Sequence, residues 1–240
     1  MTVSAGKDSG STAARAVEKN TVYGAGHAIF LLGSILYFVT SGVFFYKVAL
    51  LGLLATLMLE VYSTCMTATS IADALFSSES TPYFYLSLLL YILPPNSILL
   101  LPLALQSMLH LNAFARARLS SMAWWSQVAP YSTQLLALRP LLLDVTAHLE
   151  LVVLPMLLLS IFSSGLALPV VYGSFLRWQY FVSPRTRSTV GVWDETATKL
   201  VENPHCPRQV RKVYGNVQGM LKKWMKTQGV QMNRSASKAK

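Results

Sequence analysis

Long apolar runs separated by short polar breaks dominate the chain from residue 24 to residue 176. The first, GAGHAIFLLGSILYFVTSGVFFY over residues 24–46, contains no Asp, Glu, Lys or Arg. As a helix at ~1.5 Å per residue it reaches roughly 35 Å, more than the ~30 Å hydrocarbon core of a bilayer. The run predicts a transmembrane helix and not a cleaved signal peptide, because it is long and no small-residue cleavage pattern follows it. After Lys47 a second run, residues 48–70, is long enough to span again, although Glu60 interrupts it. The polar SSEST at 77–81 predicts a loop.

Residues 83–111 form an apolar stretch divided by Pro94-Pro95-Asn96. Proline removes a backbone donor and disfavours helix in the residue before it, so a turn is expected there. The arms 83–93 and 97–111 would be ~17 and ~22 Å long as helices, each too short to cross, which predicts a hairpin that enters one leaflet and returns. Arg116 and Arg118 then mark a cytosolic loop, and Trp124 and Trp125 suit the headgroup region. Residues 124–147 are apolar but broken by Pro130, Arg139, Pro140 and Asp144, a pattern that predicts an interfacial segment. A last span is expected over 151–172, kinked at Pro155 and Pro169.

Outside this membrane domain (24–176) the pattern changes. Residues 1–23 are small and polar and read as a disordered leader, as do residues 227–240 at the other end. Between them, 177–226 reads as a helical tail. Val190, Trp193, Ala197, Leu200 and Val201 recur at three- and four-residue spacing. Val210, Val213, Tyr214, Val217, Met220, Leu221, Trp224 and Met225 do the same, within an arc of about 140° at ~100° per residue. Arg211, Lys212, Lys222, Lys223 and Lys226 gather opposite that arc, and Pro207 stands near the expected helix start.

Charge sharpens this division. The net charge is +10, yet residues 1–176 sum to zero, and the thirteen basic and three acidic groups of 177–240 carry all of it. Basic residues beside a span stay on the cytosolic side, so the tail is expected in the cytosol. Only 12% of the chain is charged, against about 25% in soluble domains. The expected class is an all-α polytopic membrane protein with a short hairpin and cytosolic amphipathic helices. Cys65 lies in an apolar run and Cys206 in the tail, which argues against a disulfide.

Candidate chemistry is sparse. His205-Cys206 is the only His/Cys pair in the tail, and a zinc site would need about four ligands. Pro204, Cys206 and Pro207 are better read as a corner that directs the second helix, with reversible palmitoylation a further role open to the thiol. Asp144 and His148 are four apart on one helical face, with Glu150 close by. Ionisable groups at membrane depth raise the alternative of a small transporter, whereas a headgroup-zone location needs no function. No phosphate loop, nucleophile elbow or catalytic carboxylate pair is present, which predicts a protein without cofactor, metal or catalysis. The tail could attract nucleic acid, but its aromatics lie on the apolar faces and not where bases stack, so no direct nucleic-acid contact is expected. The basic amphipathic helix fits the bilayer and its anionic headgroups, or a groove on a protein.

Several residues in order resemble the transmembrane protein 33 family, which includes the yeast pore-membrane proteins. They are Glu150 followed by Pro155 and Gly165, then Tyr172, Phe175-Leu176 and Tyr180, then Pro204-x-Cys206-Pro207 before a final basic helix. Weaker agreement extends back through FFYKVALLGLLATL. The resemblance implies a non-enzymatic, multi-pass protein of the endoplasmic reticulum and nuclear envelope. It implies roles in shaping tubular membrane or in distributing nuclear pores, with nuclear pore proteins, importins, reticulon-like proteins or stress sensors as partners.

Overall fold

The computed structural model describes residues 8–161, 165–204, 206–220 and 223. Every element among them is helical, and four helices are long and apolar enough to cross a membrane. The chain divides into two compact units, Met1–Leu176 and Arg177–Lys240.

In the first unit α1 (Asp8–Thr40) and α2 (Val43–Thr67) form an antiparallel pair. The expected disordered leader is helical from Asp8, because STAARAVEKN is rich in helix formers and extends a helix already nucleated by the span. The first span ends at Thr40 and not at residue 46. Ser41 takes a left-handed conformation (φ 55°), and its N–H donates to the Tyr37 carbonyl at 2.7 Å, closing the helix end. Lys47 therefore lies inside α2. Its Nζ donates to the Tyr91 carbonyl and sits 4.9 Å from the centroid of the Tyr91 ring, so the charge is satisfied within the bundle and marks no loop.

Small residues let α1 and α2 touch backbone to backbone. A Cβ placed on Gly26 would lie 2.6 Å from the Gly52 carbonyl oxygen, and one on Gly52 would lie 2.8 Å from that of Gly26. Farther along the crossing, a Cβ on Gly33 would meet the Ala49 backbone at 3.0 Å.

After the short α3 (Ile71–Ser77), whose first turn is capped by Ser70, come α4 (Ser80–Ile92) and α5 (Ser97–Arg118). Pro94-Pro95 separates the last two, and the Asn96 side chain caps α5 by accepting from the Ile98 N–H at 3.1 Å. Helix α4 has 13 residues, about 20 Å. Helix α5 has 22 residues, about 33 Å, and continues through the arm expected to stop at residue 111. The length argument for an element confined to one leaflet thus applies to α4 and not to α5.

The segment expected as interfacial (124–147) is split between α6 (Trp125–Ala137) and α7 (Arg139–Leu159). Asn112 of α5 and Ser132 of α6 exchange two hydrogen bonds, 2.6 and 3.2 Å. Pro140 opens α7, where a missing N–H costs nothing. The expected continuous span over 151–172 is not found. The helix stops at Leu159, Gly165 has φ 75°, and α8 (Ala167–Val182) begins afresh. Arg139, Pro140 and Asp144 suggested a boundary before the span, but α7 runs through all three, with Pro140 in its first turn.

The core is aromatic and leucine-rich: Phe30, Tyr46, Tyr172 and Phe175 are fully buried with Leu50, Leu86, Leu90, Leu99, Leu100 and Leu157. Large apolar residues also face outward, among them Leu32, Phe44 and Leu159. This is the surface a bilayer accepts and water does not.

In the second unit α9 (Pro184–Glu202) starts at Ser183, whose hydroxyl accepts from the Thr186 N–H, with Pro184 at the first helical position. A further helix, α10, covers 208–220.

Candidate functional site

The tail is a helical hairpin. At its corner the Cys206 N–H donates to the Asn203 carbonyl at 2.9 Å, and the Arg211 N–H donates to the Pro207 carbonyl at 3.2 Å. The Arg211 side chain reaches back: Nε donates to the Val201 carbonyl at 3.2 Å and Nη2 to that of Asn203 at 3.4 Å. Arg211 therefore caps the C-terminus of α9, where a cation is favoured, and is not free to meet headgroups as its place on the wheel suggested. Farther along, the Tyr214 hydroxyl donates to Asp194 Oδ1 at 2.8 Å and lies 3.1 Å from the Thr198 hydroxyl. Gln218 Nε2 donates to the same Asp194 oxygen at 2.8 Å. Partners rise along α10 as they fall along α9, so the two helices are antiparallel.

Asp194 organises this clasp. The Thr198 contact pulls the Tyr214 phenol down, but burial and the neighbouring Asp194 carboxylate outweigh it, and the net shift is upward. On the exposed flank of α9, Lys199 donates to Glu195 at 2.7 Å and holds that carboxyl below its usual range.

The clasp uses the edge of each amphipathic face and leaves the rest open. Val210, Val213, Val217 and Met220 of α10 are exposed, with Met220 at 71%, and so are Trp193 and Leu200 of α9. The stripe expected on α9 is thus split: Ala197 and Val201 are half-buried while Trp193 and Leu200 face out. At 100° per residue the open positions lie roughly 70–150° from the contact line on each helix, in the same rotational sense. Two antiparallel helices turn that sense to one side, so both apolar arcs form one face. Lys199, Arg208, Lys212 and Lys223 turn to the other. Pro204, Cys206 and Pro207 form the corner, and the Cys206 thiol is free and half-buried. Leu221, Lys222, Trp224 and Lys226, expected to extend the face, lie outside the described residues, as does His205.

Within the membrane bundle the Asp144, His148 and Glu150 group does not assemble. Asp144 and His148 are exposed, and the His148 ring is tied to its own helix by the Asp144 carbonyl at 2.8 Å. Glu150 turns inward. It accepts from the Tyr83 hydroxyl at 2.6 Å, Gln106 Nε2 donates to that hydroxyl at 2.5 Å, and the Tyr172 hydroxyl donates to the Glu150 carbonyl at 2.9 Å.

A neighbouring cluster holds Tyr23, His27, Ser107 and His110. The two imidazoles stack at 5.1 Å, Tyr23 meets His110 Nδ1 at 2.6 Å, and His27 Nδ1 meets Ser107 at 3.2 Å. Gln106 and Ser107 bring the two clusters to one cavity of ≈ 20 Å³, about room for one water. Sequence reasoning missed these partners because each stands alone in an apolar run, and the available signal was that every ionisable group at membrane depth needs one. Among the described residues no three His, Cys, Asp or Glu side chains are placed to hold a metal.

A family model described as Transmembrane protein 33/Nucleoporin POM33 matches residues 10–226, which takes in both the bundle and the tail hairpin. No curated protein and no solved structure matches the chain.

Proposed function

The chain belongs to the Transmembrane protein 33/Nucleoporin POM33 family, and on that premise we propose that it is a non-catalytic organiser of endoplasmic reticulum and nuclear envelope membrane. The tail hairpin lies on the cytosolic leaflet, apolar face down, while the short α4 occupies one leaflet of the bilayer. Both add cross-section to one leaflet, which favours curvature.

The observation that carries this reading is the open apolar face of the clasped hairpin. Half-exposed Val, Leu, Met and Trp side chains contribute ~1 kcal/mol each when buried in the headgroup boundary. Lys199, Arg208, Lys212 and Lys223 turn away from that face, so their attraction to an anionic surface acts across the hairpin and is weaker than the ~1 kcal/mol of a basic group at the headgroups. Attachment to the bundle raises the effective concentration of the hairpin at the membrane, so even a weak intrinsic affinity suffices.

The test uses full-length protein in which Cys65 and Cys206, the two cysteines, are replaced by Ser. A polarity-sensitive fluorophore on Val213→Cys is expected to shift to the blue in phosphatidylserine vesicles and less in phosphatidylcholine vesicles. The same label on Lys212→Cys stays in water. Equal responses at the two positions would refute a surface-lying hairpin and favour the reading in which this face seats a protein partner, such as a nuclear pore protein, importin or reticulon.

A further inference from the structure

Helices α1 and α7 each pack along α5, but they are not packed extensively on one another. The gap between them is a groove of ≈ 270 Å³. Ile98, Leu101 and Pro102 of α5 form its floor, Phe38 of α1 one wall, and Val152 and Met156 of α7 the other. The one polar side chain along it, Ser97, is engaged by the Tyr37 hydroxyl at 3.3 Å. Phe38, Leu101 and Met156 are between 43% and 50% exposed, so the groove opens to the surroundings. All three helices are long and apolar enough to span, so those surroundings are hydrocarbon.

We propose that this groove is a binding site for one lipid acyl chain. Size selects the occupant. A volume of ≈ 270 Å³ holds roughly nine methylene groups at ~30 Å³ each, taking the liquid-state share of a group as small as water. One turn of an α-helix ~10 Å across with a ~5.4 Å pitch fills ~420 Å³, so neither a helix of a second copy nor another segment of the chain fits without opening the bundle. The groove differs from the outer surface of α1 at Leu32 and Ile35, which are also exposed, because three helices surround the chain instead of one. Removal from water gives no preference between two apolar sites inside a bilayer. What favours the groove is dispersion contact on three sides and the avoidance of a void between α1 and α7.

The test is photo-cross-linking of full-length protein in liposomes containing a phosphatidylcholine with a diazirine on one acyl chain, followed by peptide mapping. Labelling per residue at Leu101, Val152 and Met156 is expected to exceed that at Leu32 and Ile35 about fivefold. Leu101→Trp fills the groove and is expected to remove most of this labelling while leaving Leu32 unchanged. Ile98→Phe gives the same comparison should the tryptophan variant fail to reach a monodisperse state. Equal labelling at groove and outer surface would overturn the proposal. So would groove labelling that persists in a folded, filled variant, or cross-links at these positions between two copies of the chain.

Discussion

Replacing Gly52 by leucine tests the crossing of α1 and α2, the pair against which α3, α4 and α5 pack. A Cβ at residue 52 falls 2.8 Å from the Gly26 carbonyl oxygen and 2.9 Å from Ile29 Cγ2, and a Cβ at residue 26 falls 2.6 Å from the Gly52 carbonyl oxygen. These separations are roughly 0.5–1 Å inside van der Waals contact. The oxygens belong to helix backbone and cannot rotate away, so the helices must part. Overpacking costs about 1–3 kcal/mol, and a Gly→Ala change in a helix returns about 1 kcal/mol. Gly26→Ala and Gly52→Ala should each destabilise by about 1 kcal/mol, and Gly52→Leu, whose further atoms meet Ile29, by about 3 kcal/mol. The two alanines should cost less together than the sum of their separate effects, because one outward shift relieves both clashes. Gly173→Ala is the control: nothing lies within 4 Å of a Cβ there, and it should stabilise by about 1 kcal/mol. The assay is reversible unfolding of full-length protein in mild detergent titrated with SDS, followed by near-ultraviolet circular dichroism. If Gly52→Leu stayed within about 0.5 kcal/mol of the parent, or if the two alanine effects simply added, the close backbone contact between α1 and α2 would be refuted.

Other expectations concern polar contacts. Tyr83→Phe leaves Glu150 and Gln106 without their shared partner and should cost about 0.5–2 kcal/mol in the same unfolding assay, whereas Glu150→Gln, which keeps an acceptor, should cost less. Asp194→Ala removes the acceptor of both Tyr214 and Gln218, so the distance distribution between spin labels at Lys199→Cys and Lys212→Cys should broaden, while Tyr214→Phe, which keeps the Gln218 bond, should broaden it less. The raised Tyr214 phenol fixes the sign of an alkaline effect. Its contribution to the hairpin is fully present below the unfolded value of about 10 and is lost as pH rises through the higher folded value. A tyrosine-selective NMR titration, with Tyr214→Phe to assign the signal, should show this ring titrating above the ordinary tyrosine value.

The apolar runs revealed the fold class because hydrocarbon tolerates few charged groups, and their lengths therefore report membrane crossings. Helix ends were less legible. The break at Thr40-Ser41-Gly42 depends on one left-handed residue and one backbone hydrogen bond, neither of which changes mean hydropathy, whereas Lys47 suggested an interruption that is absent because the Tyr91 carbonyl accepts a hydrogen bond from its ammonium. Periodicity placed one stripe on α9, which the structure splits between half-buried Ala197 and Val201 and exposed Trp193 and Leu200, and it did not single out Asp194. This residue lies at the margin of the α9 stripe, and only pairing with residues 20 and 24 positions later makes it a hub. Glu150 shows the same limit, since its partner Tyr83 is 67 positions away.

The shortness of α4 bears on quantity. At ~10 Å diameter a helix occupies ~80 Å² of the membrane plane, and on the proposed reading one copy adds this area to a single leaflet. An asymmetry of that size is negligible on a flat sheet of many thousands of lipids. It becomes a shape only when copies are numerous relative to the lipid around them. Curvature would then depend on expression level and local crowding, and a protein of this design would act as a solute that sets membrane geometry by its surface density and not as a machine that acts once per encounter.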